Sequence, residues 1–219
     1  MRKKYISIFQ KNRLYYNFAI IFSYLTISSS SIIFASGAYD KGTSTGKGRF
    51  ELSLTINPLG IVPYGQNYGV LSYGINDRYD LVTYYSSHQN GTKSQYLGVL
   101  YQFFNNANID LATAIGLRYT DNNKNLDLFC PQLLYNYKLP YGFSIGGSVV
   151  KVIELENKID RGNAIDVTLY SPIKNFKKIN KNIDEAYIGI GLFKNTGIDI
   201  NKDELYFHYS IDFIFGKKS

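Results

Sequence analysis

Ile109-Asp-Leu-Ala-Thr-Ala-Ile-Gly-Leu-Arg-Tyr119 repeats with a period of two. Ile109, Leu111, Ile115, Leu117 and Tyr119 fall on one parity, and Asp110, Ala112, Ala114, Gly116 and Arg118 on the other. A helix brings every third or fourth residue to one side, whereas a strand turns successive side chains to opposite faces, so this stretch reads as a β-strand. The pattern recurs in both directions. Toward the amino terminus, Phe50, Leu52, Leu54 and Ile56 interleave with Glu51, Ser53, Thr55 and Asn57. Toward the carboxyl terminus, Leu205, Phe207, Tyr209, Ile211, Phe213 and Phe215 stand against Tyr206, His208, Ser210, Asp212 and Ile214. Noisier alternation covers 67–75, 79–87, 95–104, 126–137, 142–152, 163–170 and 186–194, which makes about ten strands, eight being the smaller count that fits.

The breaks between these blocks alternate as well. Asn76-Asp77-Arg78, Asn105-Asn106-Ala107-Asn108 and Lys138-Leu139-Pro140-Tyr141 are short and rich in turn formers. The connections at 58–66, 88–94, 120–125, 154–162 and 195–203 tend to be longer and more polar. An up-and-down meander follows, with short turns at one end and loops at the other. Ser171 to Glu185 breaks the scheme, being long on the short-turn side and carrying Lys174, Lys177, Lys178 and Lys181.

The class turns on which face points inward. The outside of a soluble barrel meets water and needs Lys and Glu. Here the less apolar face holds Gly, Ala, Ser, Thr and Tyr with a few acids, as in Gly142, Ser144, Gly146 and Ser148 or Gly189 and Gly191, while lysines sit mostly in the connections. Small residues suit the inside of a narrow barrel and branched or aromatic ones suit lipid. The expected fold is therefore all-β, an up-and-down antiparallel transmembrane β-barrel. Leu52, Leu54, Ile115, Leu117, Ile190, Ile211, Phe213 and Phe215 are expected to face lipid. Glu51, Asp80, Arg118, Asp127, Asp166, His208 and Asp212 form the expected inward polar set.

Composition agrees with one domain. The chain has 219 residues, 45% hydrophobic and 19% charged, which excludes disorder, and its single cysteine, Cys130, excludes an internal disulfide or a cysteine-type zinc site. The formal charge of +7 is concentrated at the amino terminus. Five of the 24 basic residues, Arg2, Lys3, Lys4, Lys11 and Arg13, fall within 1–37, which has no acid; 38–219 then holds 19 basic against 17 acidic residues. That near-neutral remainder lacks the charge a nucleic-acid binder needs.

The basic stretch is followed by an apolar run from Phe18 to Ile27, four serines, and the small-residue group Ala35-Ser36-Gly37-Ala38, the layout of an export signal. The boundaries read as 1–37 signal peptide, 38–47 flexible leader, 48–216 barrel and 217–219 tail. Cleavage after Gly37 places Ala35 and Gly37 at the two small positions.

With the signal and the alternation in place, the sequence resembles the small bacterial outer-membrane β-barrel proteins, a porin-like group, over roughly 48–216. Ser72-Tyr-Gly-Ile-Asn-Asp-Arg-Tyr-Asp-Leu81 looks like the strand, short turn, strand hairpin frequent in such barrels. Leu205 to Phe215 looks like the aromatic-ended closing strand that the family's assembly machinery reads, although this chain continues with Gly-Lys-Lys-Ser. The resemblance implies an outer-membrane location in a Gram-negative-type cell, lipid and lipopolysaccharide as surroundings, and the assembly machinery as a partner. A monomer is expected.

Motifs for chemistry are few. Gly42-Thr-Ser-Thr-Gly-Lys-Gly48 is one residue short of a phosphate loop and has glycine where the magnesium-holding Ser or Thr belongs, so it reads as a flexible leader. Asn90-Gly-Thr92 is a glycosylation triplet without consequence in a bacterial envelope. His88, beside Ser86 and Ser87, resembles the rim residues of lipid A-modifying barrel enzymes but has no acid partner in sequence to orient it. His208 is expected to lie inward beside Asp212 as a hydrogen-bonded pair, and Arg118 to pair with carboxylates among Glu51, Asp80 and Asp127, because an arginine flanked by Leu117 and Tyr119 must turn from lipid. No catalytic residue, metal or cofactor is expected. A lumen of about ten strands is only slightly wider than one that side chains fill, so a plug or very narrow channel is expected, its acid excess disfavouring anions. The function read from the sequence is a structural, adhesive or narrow-pore role. The alternatives are a barrel enzyme acting on lipid A or peptides, and a secreted soluble barrel holding an apolar ligand.

Overall fold

A computed structural model describes residues 41–56, 68–87, 93–120, 123–155, 158–195 and 206–216. Eleven strands run through them: β1 Phe50–Ile56, β2 Tyr68–Gly74, β3 Tyr79–Ser87, β4 Lys93–Asn105, β5 Ile109–Thr120, β6 Asn123–Phe129, β7 Gln132–Lys138, β8 Ser144–Glu154, β9 Asp160–Pro172, β10 Ile183–Asn195 and β11 Tyr206–Phe215. Every pairing is antiparallel and, β6 and β7 apart, each strand neighbours the next, while β1 closes on β11 with Phe50 opposite Phe215 and Ile56 opposite Tyr209. The sheet is thus a closed barrel.

Strands β6 and β7 share one position in the wall, since both lie between β5 and β8. They are the two halves of the block expected at 126–137. Pro131 has no N–H to give the ladder, so the strand breaks at Cys130-Pro131, and the eleven strands occupy ten positions around the barrel.

The short turns lie at one rim and are held by asparagine. Asn76 Oδ1 accepts from the N–H groups of Arg78 (2.8 Å) and Tyr79 (3.0 Å), and Asn106 Oδ1 accepts from those of Asn108 and Ile109, both at 2.8 Å. Most residues of the opposite connections lie outside the described residues, as do the expected signal peptide, His88 and the Asn90 triplet.

The two faces sort as the alternation requires. Ile115 and Ile190 are 51% and 55% exposed on the outside, with Leu81, Leu97, Leu133, Val149, Val167 and Leu169 in the same band. Leu117 is exposed there too; Leu52, Leu54, Ile211, Phe213 and Phe215 are only half covered on the same face. Exposed aromatics gather at the short-turn rim, where Phe50 lies against Tyr73 (4.7 Å between ring centres) and Tyr79 stacks on Tyr101 (4.6 Å). Tyr85, Tyr119, Phe207 and Tyr209 mark the loop rim. An apolar band between two aromatic girdles is the outer surface a bilayer demands.

Ile115→Arg, at the middle of β5, should cost about 2 to 4 kcal/mol, the range for a charge on the lipid face near the midplane. Ala114→Ser, one residue along and buried inside, should be mild by comparison. Urea unfolding of both variants in lipid checks this, and the reverse order would mean the faces are exchanged.

Candidate functional site

The inside of the barrel holds more than its wall. The segment read from sequence as a flexible leader runs along the interior at the short-turn end. This differs from the expectation, and its contacts give the reason. Gly48 N–H donates to Gly74 O (2.8 Å) and Gly74 N–H to Arg49 O (3.0 Å), extending the β1–β2 pairing inward. Asp80 on β3 then accepts from the Ser44 hydroxyl and from Thr45 N–H, both at 2.7 Å. Thr43 Oγ1 donates to Asp110 of β5 (2.8 Å) and accepts from Asn136 Nδ2 of β7 (2.7 Å). Gln102 Nε2 reaches Gly42 O at 3.4 Å. Lys41 ends the path against β8 to β11: its ammonium lies 3.1 Å from Glu51 and 3.7 Å from Asp212, with the Tyr187 and Tyr170 ring centres at 4.5 and 5.2 Å. Residues 41–49 therefore touch strands around most of the barrel, like a ring inside a pipe.

Two glycines allow this close approach. A Cβ on Gly74 would stand 1.8 Å from the carbonyl oxygen of Gly46, and one on Gly42 would stand 2.7 Å from that of Leu134. Neither site has room for a side chain. At the mouth, the buried Arg49 guanidinium meets Glu185 at 2.6 Å and Asp184 at 3.3 Å and donates to Thr45 O at 3.3 Å. Lys138 bridges Asp110 and the Asn106 carbonyl, both at 2.8 Å. A polar cavity of about 710 Å³ lies at this mouth, lined by Lys41, Lys47, Asp77, Arg78, Lys138 and Tyr187 among others.

Toward the loops an apolar and aromatic cluster stands among buried polar residues such as Ser86, Ser94, Thr168 and His208. Tyr68, Val70, Val82, Tyr84, Tyr96, Leu100, Leu134 and Val150 form one buried cluster with small residues between them. Tyr84 meets Tyr68 edge-on at 6.2 Å and Tyr96 at 6.0 Å. The tyrosines need room opposite, and Gly98 and Gly116 supply it beneath the Tyr96 ring. The expected inward face already includes tyrosine; Val70, Val82, Leu100, Leu134 and Val150 add branched residues to it.

The inward polar set divides. Glu51, Asp80, Asp166, His208 and Asp212 are buried inside. Glu51, Asp80 and Asp212 come together through the 41–45 segment. Asp212 also accepts from the Ser53 hydroxyl at 2.6 Å. Asp166 accepts from Ser148 N–H at 2.5 Å, within the β8–β9 wall. His208 Nε2 lies 2.8 Å from Thr168 Oγ1, over Gly191, so the expected His208–Asp212 pair is corrected to His208–Thr168. Of Asp127 only the backbone of β6 is described.

Of the three partners expected for Arg118, Asp80 stands at another level of the barrel and Glu51 is held by Lys41, while the side chain of Asp127 lies outside the described residues. Asp80 is in register, through Leu100, with Ala114 of β5. Arg118 lies four residues farther toward the loops, about 13 Å along the strand. It is half buried beside Cys130, and the cation that serves Glu51 is Lys41. Lys41, Thr43, Ser44 and Arg49 were missed as site residues because alternation assigns strand faces and carries no signal for a segment folded back inside them; Asp110 had the inward parity but no partner that alternation could supply.

A closed antiparallel wall of ten strand positions with an apolar outer band between aromatic girdles is the architecture of a transmembrane β-barrel. No protein-family model matches the sequence and no curated protein matches it. Among solved structures the chain is similar to the KdgM porin, at 10% identity and a TM-score of 0.47, with 77% of this chain and 99% of that one covered. The KdgM porin in complex with disordered oligogalacturonate gives 10% identity, a TM-score of 0.46 and the same coverage. Pseudomonas aeruginosa OpdQ gives 15% identity and a TM-score of 0.29, with 74% of this chain and 59% of that one covered.

Proposed function

We propose that the chain works in the outer membrane as a barrel that rests closed, with a structural or adhesive role and no catalysis. The observation that carries this reading is the segment 41–49 held across the inside of the short-turn end by Asp80, Asp110 and Glu51, with the buried Tyr68, Tyr84 and Tyr96 farther along the lumen. Lipid and lipopolysaccharide surround it, and its insertion depends on assembly machinery reading the aromatic end of β11. A second reading, a narrow pore, is favoured by one feature: the ring is held by hydrogen bonds and ion pairs beside a polar cavity, contacts that water can replace.

The test is fractionation with bilayer recording. The protein should sediment with outer membranes, migrate differently on gels before and after heating because a closed barrel has no free edge from which to unfold, and stay silent in planar bilayers. A soluble periplasmic protein would end the membrane reading, and steady large conductance would end the closed one.

A further inference from the structure

The connection between β9 and β10 is the one short-turn linkage that the closed barrel leaves without a purpose. It contains a single helical turn, α1 Phe176–Ile179. Ala186 stands opposite Phe213 and Ile188 opposite Ile211, which places Ala186 on the outer, lipid-side face. Yet Ala186 is only 3% exposed. Phe176 is what covers it, packing with Ile183 and Ala186 and lying 5.5 Å from the Phe213 ring. The connection therefore folds back over the outside of the wall at the short-turn rim.

Its charge is one-sided. Between Ser171 and Ile183 there are four lysines and no acid. The next two residues, Asp184 and Glu185, are taken by Arg49 inside the barrel. Lys174, Lys178 and Lys181 are exposed. They sit at the rim marked by Phe50, Tyr73, Tyr79 and Tyr101, the level at which a bilayer places its headgroups.

We propose that this connection is a binding surface for anionic phospholipid headgroups in the leaflet at the short-turn rim, Phe176 seating the turn against the wall and Lys174, Lys178 and Lys181 meeting the phosphates. It rests on the barrel standing in a bilayer. Charge complementarity and continuity with the lipid-facing band select lipid as the occupant. Lysines near an anionic surface add their attractions, and salt screens them.

The test is electron spin resonance of spin-labelled phosphatidylglycerol and phosphatidylcholine in vesicles holding the full barrel. The wild type should hold phosphatidylglycerol several-fold more strongly than phosphatidylcholine at low salt. The variant K174Q/K178Q/K181Q, with heat-modifiable gel mobility as its folding control, should lose most of that preference. A barrel that inserts but shows no preference, or a variant that keeps it, overturns the proposal while leaving the membrane reading intact. Failure to insert into any vesicle overturns both.

Discussion

A chain lacking residues 41–47 should still insert, but should pass ions that the intact barrel excludes and should melt at a lower temperature. Removing the segment strips Asp80 of the Ser44 and Thr45 donors, Asp110 of Thr43, and Glu51 and Asp212 of Lys41. Four carboxylates then face a widened mouth, and water must enter to solvate them. Because water does enter, the destabilisation should stay at roughly 1 to 3 kcal/mol for each group left without a donor, well below the cost in a dry interior. The Tyr68, Tyr84 and Tyr96 layer remains, so the expected conductance is small, cation-preferring steps. Recordings in planar bilayers and gel-shift melting of the two chains check this. Unchanged silence together with unchanged melting would show that the segment is a passenger in the lumen.

Lys41→Met should be the most damaging single change at this site. Methionine keeps the length of the aliphatic stem and removes the charge, leaving Glu51 and Asp212, both buried, as neighbouring anions without a cation. Breaking a buried pair from one side costs about 3 to 5 kcal/mol when the site stays dry and less where water reaches it. The companion K41M/E51Q/D212N should recover much of the loss, because it removes the stranded charges as well. Unfolding in urea, followed by gel mobility, compares the three proteins. A triple variant no more stable than Lys41→Met would mean that the packing of the Lys41 stem, and not its charge, is what counts.

Strand periodicity was legible because it depends on each residue and its next neighbours. Ile115, Leu117 and Ile190 face outward and Glu51, Asp80, Asp166 and Asp212 inward, as the parity of each block requires. The break at Pro131 follows from the missing N–H, a signal the sequence also carries. What could not be read is contact across the lumen, which depends on register and height. Arg118 and Asp80 share an inward parity but stand at different levels, and His208 meets Thr168 of β9, across Gly191 of the intervening β10, instead of Asp212 on its own strand. Residues 41–49 posed the harder problem. Glycine, serine and threonine are the composition of a loose leader, and the same smallness is what lets Gly42 lie against the wall. Only the carboxylates waiting inside, Asp80 and Asp110, distinguish the two outcomes, and they are more than thirty residues away in the chain.

The seat of the segment in the lumen is tested most directly by tying it there. A Cβ at Gly146 would lie 3.0 Å from the Cβ of Lys41, a few tenths inside the spacing of about 3.5 to 4.5 Å that a disulfide spans, so a small shift joins them. In a C130A/E51Q/D212N background, where loss of the Lys41 charge strands no anion, the variant Lys41→Cys/Gly146→Cys should form a disulfide on oxidation in intact outer membranes, recovered as a linked pair of peptides after denaturation and digestion. A closed, dry lumen further requires that before oxidation the thiol at 41 resist a bulky maleimide. Absence of the linked peptides, with a thiol at 41 that reacts as freely as one on the surface, would contradict a barrel closed by its own amino-terminal segment.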